Sequence, residues 1–366
     1  MTEIDVLYDN LRLLLSAGDS LPLPKHELTD KLLRNLYSEE EASIISASFD
    51  DIREEQNTDQ ISEKFGIKDK NKLEQMLDQI VYKGTLFRGE ESTYYMMPYL
   101  PGVFEAYFMA LRDTDERLKE AGKAHRGLRK INFDLENDWA DLIPTDFNKD
   151  SEWRFVPAME PILRTIEINE NIDVKTEILP YEVLEKRLSV YDIFSETPCS
   201  CREAARLAGE PCERTTENFC IQAGEYAERI IKNGIGKQLS YDEAMIRLKE
   251  AEKHGLVHST VNKLEPTRFV CNCCPCCCMP LAPVIKGYRL DVAKTNFNPI
   301  VDHDLCILCE ICVNICPVAT IEHIDDSDEE KIVIGLNSCL GCGLCASNCP
   351  EGAISLEKVR NDMPPL

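Results

Sequence analysis

The hydrophobic positions of residues 1–84 recur at the spacing of amphipathic helices. Ser38 and Glu41 form a capping box in front of one such helix, because each side chain can bond a backbone N–H group of the other. The apolar positions of this helix predict buried side chains at Ala42, Ile44, Ile45 and Phe49. A short second helix is expected to be capped by Thr58 and to end at Gly66. Its inward positions are Ile61 and Phe65.

A third helix then gives way to the alternating pattern of strands. It is expected over residues 69–83 and ends at Gly84. One stripe of this helix carries Leu73, Met76, Leu77 and Ile80. The segment after it predicts a hairpin that turns near Gly89. Helices followed by a hairpin are the element order of a winged helix, so we expect residues 1–110 to form a winged-helix-like domain.

Patterning is weaker over residues 111–152, which we interpret as a helical connector with a solvated, charged face and a linker. Regular patterning resumes at Trp153, with a strand expected at 177–179 and a helix from Tyr181.

A further helix begins at a second capping box, formed by Ser240 and Glu243, and ends at Gly255. It is expected to bury Ala244, Ile246, Leu248 and Ala251.

Composition and charge indicate the cellular compartment and limit the classes of binding partner. The net charge is −24, and an acidic chain is repelled by nucleic acid and by anionic lipid, so neither is expected as a partner. The N-terminal residues lack the features of a signal peptide, and no apolar run reaches the roughly 18–20 residues that span a bilayer. We therefore expect a cytoplasmic protein with no integral membrane segment. Thiols stay reduced there, which favours metal binding over disulfides.

The 18 cysteines are confined to two regions of the chain. Residues 1–198 contain none, residues 199–278 contain ten, and residues 306–349 contain eight. This step in composition separates a Cys-rich middle domain, residues 153–290, from a C-terminal domain, residues 291–366.

The C-terminal cysteines form two C-x2-C-x2-C-x3-C-P runs. The first run holds Cys306, Cys309, Cys312 and Cys316, and the second run holds Cys339, Cys342, Cys345 and Cys349. This repeat is typical of bacterial-type two-cluster ferredoxins, in which the fourth cysteine of each run ligates the other cluster. We predict one [4Fe–4S] cluster on Cys306, Cys309, Cys312 and Cys349, and another on Cys339, Cys342, Cys345 and Cys316. Zinc is the alternative, but zinc sites do not need this interlocked spacing.

Strands can follow each run, at ATIEHI, KIVIGL and AISLE. The C-terminal domain is therefore expected to have a βαββαβ ferredoxin fold.

The middle cysteines predict one or two further [4Fe–4S] clusters on a subset that the spacing does not define. They are Cys199, Cys201, Cys212, Cys220, Cys271, Cys273, Cys274, Cys276, Cys277 and Cys278. Neighbouring side chains alternate along a strand and diverge around a helix, so the six cysteines of residues 271–278 are expected to divide into subsets that face different ways. C-x2-C pairs are available at 271/274, 273/276 and 274/277, and Pro275 is expected to bend the segment. Zinc stays an open alternative here, because C-x-C and C-C spacings are less diagnostic.

Three polar residues beside these cysteines each have two interpretations. Arg202 either balances cluster charge or is an ordinary surface arginine at the start of a helix. A histidine ligand would raise a cluster's potential. For His254 and His258, however, a position at a helix end or against the cluster shell is favoured over ligation.

Several segments together resemble a known family. T-P-C-S-C-R, G-L-V-H, C-N-C-C-P-C-C-C and the paired runs occur in this order, with MMPYLPGVFEAYF and ILPYEVLEKRL before them. The chain resembles multi-cluster 4Fe–4S binding, dicluster ferredoxin-type proteins of anaerobic microbes, which often carry an N-terminal winged-helix-like region. The resemblance implies redox work beside larger anaerobic oxidoreductases.

The expected fold class is α+β multidomain, with a winged-helix-like domain, a Cys-rich α/β middle domain and a βαββαβ end. The favoured function is low-potential electron transfer through a relay of [4Fe–4S] clusters to a redox partner protein. The N-terminal domain would dock or form a homo-oligomer. One alternative is an Fe–S redox-sensing, winged-helix transcription regulator. Residues 1–110 hold 11 basic and 21 acidic residues, which argues against DNA binding. The other alternative, an enzyme, would need an iron without a protein ligand.

Overall fold

The computed structural model describes residues 2–17, 22–132, 153–172, 182–285, 292–326 and 329–364. Up to residue 132 its elements are α1 (Glu3–Leu15), α2 (Glu27–Leu36), α3 (Glu39–Ser48), α4 (Thr58–Phe65), α5 (Lys70–Lys83), β1 (Phe87–Arg88), β2 (Tyr94–Tyr95), α6 (Phe104–Ala110) and α7 (Asp115–Asn132). From residue 153 they are β3 (Trp153–Phe155), α8 (Met159–Ile172), α9 (Leu184–Leu188), β4 (Phe194–Thr197), α10 (Ser200–Leu207), β5 (Cys220–Ala223), α11 (Glu225–Lys232), β6 (Lys237–Leu239), α12 (Tyr241–Lys253), β7 (Val257–Val261), β8 (Phe269–Cys273), α13 (Leu281–Ile285), β9 (Val292–Ala293), β10 (Phe297–Val301), α14 (Ile311–Ile315), β11 (Ile321–Asp326), β12 (Glu329–Ile334), α15 (Leu344–Ser347) and β13 (Ile354–Lys358).

The chain packs into two compact units. Unit 1 consists of Met1–Asn132 and Pro198–Pro211, and unit 2 consists of Phe133–Thr197 and Cys212–Leu366. Packing therefore groups the residues in a different way from the four predicted segments, whose boundaries stay a prediction.

Unit 1 contains the helices and the hairpin that the apolar pattern predicts. The capping box of Ser38 and Glu41 precedes α3. The four positions expected inside α3 and at its end are buried. The cap of α4 was predicted wrongly. Asn57 accepts the N–H of Gln60 and begins the helix, because its amide side chain forms the capping box one residue before Thr58. Gly66 and Gly84 end α4 and α5 in the left-handed conformation.

The strands β1 and β2 pair in antiparallel register, with Phe87 opposite Tyr95. Gln56, just before α4, forms a further antiparallel bridge to Tyr94. The hairpin is therefore tied to the segment that precedes α4.

Helix α7 is packed on one face. Its buried side chains include Leu118, Ala121, Ala124 and Leu128. The helix packs against α2 and α10. Its Gly122 leaves room for the close approach of α10, since a Cβ there would lie 3.0 Å from the carbonyl oxygen of Ala204. Arg126 and Lys130 of α7 each approach Glu210 to 2.6 Å, which ties residues 198–211 to unit 1. The rest of the predicted linker, residues 133–152, lies outside the described residues.

Unit 2 is built around a seven-stranded sheet with the order β6-β4-β5-β8-β7-β3-β9. All its pairings are antiparallel except that of β3 with β9. The middle domain, predicted to be α/β, is thus corrected to an α+β domain with a mainly antiparallel sheet. The sheet buries Val156, Phe194, Ile221 and Val270 beneath α9 and α12.

Two helix predictions in unit 2 also need correction. Ile246 is 55% exposed, because the inner stripe of α12 is instead formed by Ala244, Met245, Leu248 and Ala251. The helix expected from Tyr181 begins at Leu184. The strand expected at 177–179 lies outside the described residues.

The C-terminal part has the predicted βαββαβ order, from β10 through α14, β11, β12 and α15 to β13. Its first and last strands pair in antiparallel fashion, with Phe297 opposite Lys358. The hairpin of β11 and β12 pairs Ile321 with Ile334. Each cysteine run lies around one of the two short helices. In the described residues, no helix is long and apolar enough to cross a membrane.

Candidate iron–sulfur and metal sites

Four cysteines of the two runs line one cavity. They are Cys316, Cys339, Cys342 and Cys345, the set predicted for one cluster. Backbone groups hold the loop that carries them, since the Gly341 N–H donates to Cys339 Sγ at 3.4 Å and Ala158 N–H donates to the Cys342 carbonyl at 2.9 Å. N–H groups directed at cluster sulfurs stabilise the negative charge of a bound cubane. The donor set therefore fits a [4Fe–4S] cluster.

The other set is more accessible to solvent. Cys309 is exposed, and Cys306 and Cys349 are half-buried. Cys306 and Cys349 contribute to the hydrophobic core between α14 and α15, together with Cys312. The loop of the first run also exposes Leu305, Ile307 and Ile311. The two runs thus differ in accessibility although their sequences are similar.

Burial governs the acidity of the thiols. It raises the pKa of Cys342 to about 12, and it raises the pKa of Cys339 and Cys312 above the ordinary value for a thiol. Burial also raises the pKa of Cys345, and neighbouring thiols add to the effect. Only the thiolate binds iron, so occupation of these sites must release protons.

The second run is packed directly on the sheet of unit 2. Leu340, Leu344 and the half-buried Cys342 share one hydrophobic core with Cys273 and Cys278. The C-terminal part is therefore continuous with the Cys-rich sheet and is not a separately packed body.

A different group of cysteines converges at the end of β8. The Sγ atoms of Cys212, Cys274, Cys276 and Cys277 all lie within 4.8 Å of one another. We call these residues the four-thiol group. Cys276 Sγ is 3.6 Å from both Cys212 Sγ and Cys277 Sγ. The adjacent Cys276 and Cys277 face the same centre because the chain turns at residues 275–277, where the alternation of a strand no longer applies.

Close approach perturbs these thiols strongly. Hydrogen bonds from Cys274, Cys276 and Cys277 lower the pKa of Cys212, because its thiolate accepts them. The proton that Cys274 shares with Cys212 raises the pKa of Cys274. Four thiolates this close repel one another unless protons or a cation lie between them.

The other middle cysteines lie elsewhere. Cys199 precedes α10 and Cys201 lies in its first turn, both in unit 1, and Cys220 begins β5 in unit 2. Cys271, Cys273 and Cys278 contribute to the hydrophobic core below the second run. The expected division of residues 271–278 into subsets that face different ways is therefore present. Ligation by the cysteines outside the four-thiol group stays a prediction.

The flanking polar residues have defined positions. Arg202 is 5% exposed, so it is not an ordinary surface arginine. His254 caps the C-terminal end of α12, as favoured. His258 is buried, and its ring nitrogens lie 2.6 Å from Asn272 Oδ1 and 3.0 Å from Glu252 Oε1. Both nitrogens of His258 are thus engaged by protein groups, which argues against ligation.

Sequence reasoning missed Glu252, which joins the sheet to the second run. Its Oε1 accepts the Met159 N–H at 2.8 Å and its Oε2 accepts the hydroxyl of Ser347. Burial alone would raise the pKa of Glu252, but the hydrogen bonds from His258, Ser347 and Met159 hold the pKa below its ordinary value. Its position in the sequence could have revealed its burial, since Glu252 lies one turn after Leu248 on the buried stripe of α12.

A βαββαβ fold with paired cysteine runs around its two helices defines a dicluster ferredoxin-type iron–sulfur protein. Comparison with known proteins agrees. The 4Fe-4S dicluster domain family matches residues 305–353. Pyruvate synthase subunit PorD of Methanothermobacter marburgensis is 40% identical over 63 residues, which cover 17% of this chain and 69% of the relative. The chain belongs to this dicluster ferredoxin family, and it binds multiple [4Fe–4S] clusters.

Two further relatives are similar to part of the chain. NADH-dependent phenylglyoxylate dehydrogenase subunit delta of Aromatoleum evansii is 39% identical over 72 residues, covering 20% of this chain and 72% of the relative. Hydrogenase-4 component A of Escherichia coli is 37% identical over 92 residues, covering 23% of this chain and 41% of the relative. No solved structure gives a significant match to the chain.

Proposed function

We propose that this protein transfers single electrons at low potential, as a ferredoxin-type partner or subunit of a larger oxidoreductase. The observation that carries the proposal is the cavity lined by Cys316, Cys339, Cys342 and Cys345 in a βαββαβ fold. A [4Fe–4S] cluster held by four cysteines has no open coordination position and accepts one electron at a time. The names of the relatives, which are subunits or components of oxidoreductases, support a partner of that class.

The ligand sets remain those that the spacing predicts. The first run would hold one cluster with Cys349, and the second run would hold the other with Cys316. The chain's own contribution is to bury the second set on the sheet and to leave Cys309 of the first set exposed. Electrons would therefore enter or leave through the first run.

The surface around Cys309 fits a docking partner of defined chemistry. Ile307 is 60% exposed and Leu305 is 52% exposed, and the acidic residues Asp304 and Glu310 flank this apolar centre. A partner with an apolar patch and a basic rim would complement this surface in shape and charge.

Helices α3, α4 and α5 with the hairpin of β1 and β2 form, in our proposal, a winged-helix-like module that docks or dimerises. Its α5 does not favour DNA, because Lys70 pairs with Asp59 and Lys83 pairs with Glu41. Light scattering of the full chain would test self-association, and a gel-shift assay would test DNA binding.

The central experiment is anaerobic purification followed by reduction with dithionite. We expect about 8 irons per chain from two cubanes, bleaching of the visible absorption on reduction, and a reversible electron paramagnetic resonance signal. The variants Cys309→Ser and Cys342→Ser should each perturb one of two redox transitions and leave the other. Protein without redox-active iron would refute the proposal.

A matched pair of variants tests the docking surface. Ile307→Lys and Ile246→Lys make the same change at positions of similar exposure, 60% and 55%. On an amine-terminated electrode, Ile307→Lys should slow electron exchange by charge repulsion, and Ile246→Lys should not. Iron content should stay unchanged in both, and the exchange rates are compared at equal driving force because the new charge beside Cys306 raises the potential of the first-run cluster. Equal rates for the two variants would show that the first run is not the exchange surface.

A further inference from the structure

We propose that the four-thiol group is a structural zinc site that holds one tetrahedral ion, and that it is not a third iron–sulfur cubane. The site consists of Cys212, from the segment after α10, and Cys274, Cys276 and Cys277, from the turn after β8.

Sulfur spacing carries the argument. Zinc binds thiolate at about 2.3 Å, and tetrahedral geometry then places neighbouring sulfurs about 3.8 Å apart. Two of the sulfur pairs in the four-thiol group are 3.6 Å apart, and all are within 4.8 Å. The sulfurs are too far apart for a disulfide, whose bond is about 2.05 Å. In a cubane each thiolate binds a different iron, so the sulfurs must stand farther apart than around one ion.

The two runs provide an internal comparison. Their eight cysteines belong to a dicluster ferredoxin domain, and all eight are described in the structure. Over the described residues, the four-thiol group is the one set of three or more ligand residues that converges within 4.8 Å. The same chain therefore presents two kinds of cysteine site, a wide kind in the runs and a narrow kind at the end of β8.

The surroundings also fit a closed structural site. Cys274 and Cys277 are each 1% exposed, and the other two residues are half-buried. Cys274 and Cys277 form a C-x2-C pair, the usual spacing on one side of a zinc site.

The role of the ion follows from its position and chemistry. Zinc has no redox activity, so the site would not extend the electron relay. It would join the loop before β5 to the end of β8, two segments 62 or more residues apart in sequence. Without a cation, four thiolates at this spacing would repel one another. The ion would thereby fix the sheet on which the second run packs.

The test uses the full chain, purified without oxygen from cells supplied with both iron and zinc. Elemental analysis should give about one zinc in addition to about 8 irons, and zinc X-ray absorption should show four sulfurs at about 2.3 Å with no metal neighbour. Cys276→Ser should lose the zinc and keep its iron. The matched control Cys271→Ser, in the same segment, should keep the zinc, and Cys309→Ser should lose iron only.

A conservative variant guards against simple misfolding. Cys276→His preserves a three-cysteine, one-histidine set that zinc accepts, so it should retain the ion. About 12 irons per chain, with a loss of about four in Cys276→Ser, would identify a third cubane and overturn the proposal. Iron alone in the four-thiol group, or zinc retained in full by Cys276→Ser, would overturn it as well. The iron of the two runs is counted separately, so failure here would leave the electron-transfer proposal intact.

Discussion

Replacement of Gly341 by alanine should specifically weaken the loop of the second run. Gly341 has φ +69°, and its carbonyl accepts the hydroxyl of Thr295 at 2.8 Å. A Cβ at this position would lie far inside van der Waals contact with the Phe297 carbonyl oxygen and Thr295 Oγ1. Phe297 is fully buried in β10, so the backbone there cannot yield easily.

The cost has two parts. The left-handed conformation costs an alanine about 1–2 kcal/mol. Overpacking against a fixed backbone adds about 1–3 kcal/mol, which gives about 2–5 kcal/mol in all. Gly352→Ala is a matched control, because Gly352 has φ +63° and the nearest atom to its Cβ is the end of the flexible Arg164 side chain at 3.2 Å. Gly352→Ala should lower the free energy of unfolding only by the cost of the left-handed conformation, about 1–2 kcal/mol.

The assay heats the protein without oxygen and records the loss of the visible iron–sulfur absorption. All variants are heated at one fixed rate, because cluster loss makes unfolding irreversible. At about 2–4 °C per kcal/mol, Gly341→Ala should bleach about 2–12 °C below Gly352→Ala. Gly341→Ala should also shift the reduction potential of one cluster, since its N–H donates to Cys339 Sγ. If the two variants bleach together and keep the same potentials, the loop does not depend on Gly341 in this way.

Three further outcomes are expected. Lys358→Met should destabilise the protein by about 3–5 kcal/mol, because it removes the cation that balances the carboxylate of Glu182 at a site where both side chains are at most 3% exposed. Adding Glu182→Gln should restore most of the loss in denaturant titrations. The hydrogen bond to Glu310 raises the pKa of His323. The stability that this pair contributes to the fold should therefore be complete below about pH 6.5 and should fade as the pH rises through the raised pKa. His323→Gln should abolish this pH dependence of the melting temperature, and an unchanged profile would refute the prediction. Lys294→Gln should make the reduction potential of the second-run cluster more negative by about 59 mV or less. The positive charge of Lys294 stabilises the thiolate of Cys339 in that run, so its removal disfavours the added electron. Voltammetry that shows no shift would contradict this.

Local chemistry explains the predictions that held. The two capping boxes begin α3 and α12 where expected, because a cap needs only residues three apart in sequence. The paired runs likewise indicated the βαββαβ order, since their spacing is set by a short loop and one helical turn. The error at Ile246 arose in a helix whose apolar residues allow more than one stripe, so the neighbour that packs against it decides which side is buried.

The sequence by itself determined that this chain binds several iron–sulfur clusters and where the dicluster fold lies. Only the tertiary structure decided that residues 198–211 pack with unit 1, that Glu252 and His258 support the second run, and which four middle thiols converge. The physical reason is that burial and long-range pairing arise between segments far apart in the chain. The spacing of cysteines within 271–278 limits which thiols can share a face, but the distant loop that brings Cys212 to them selects the set.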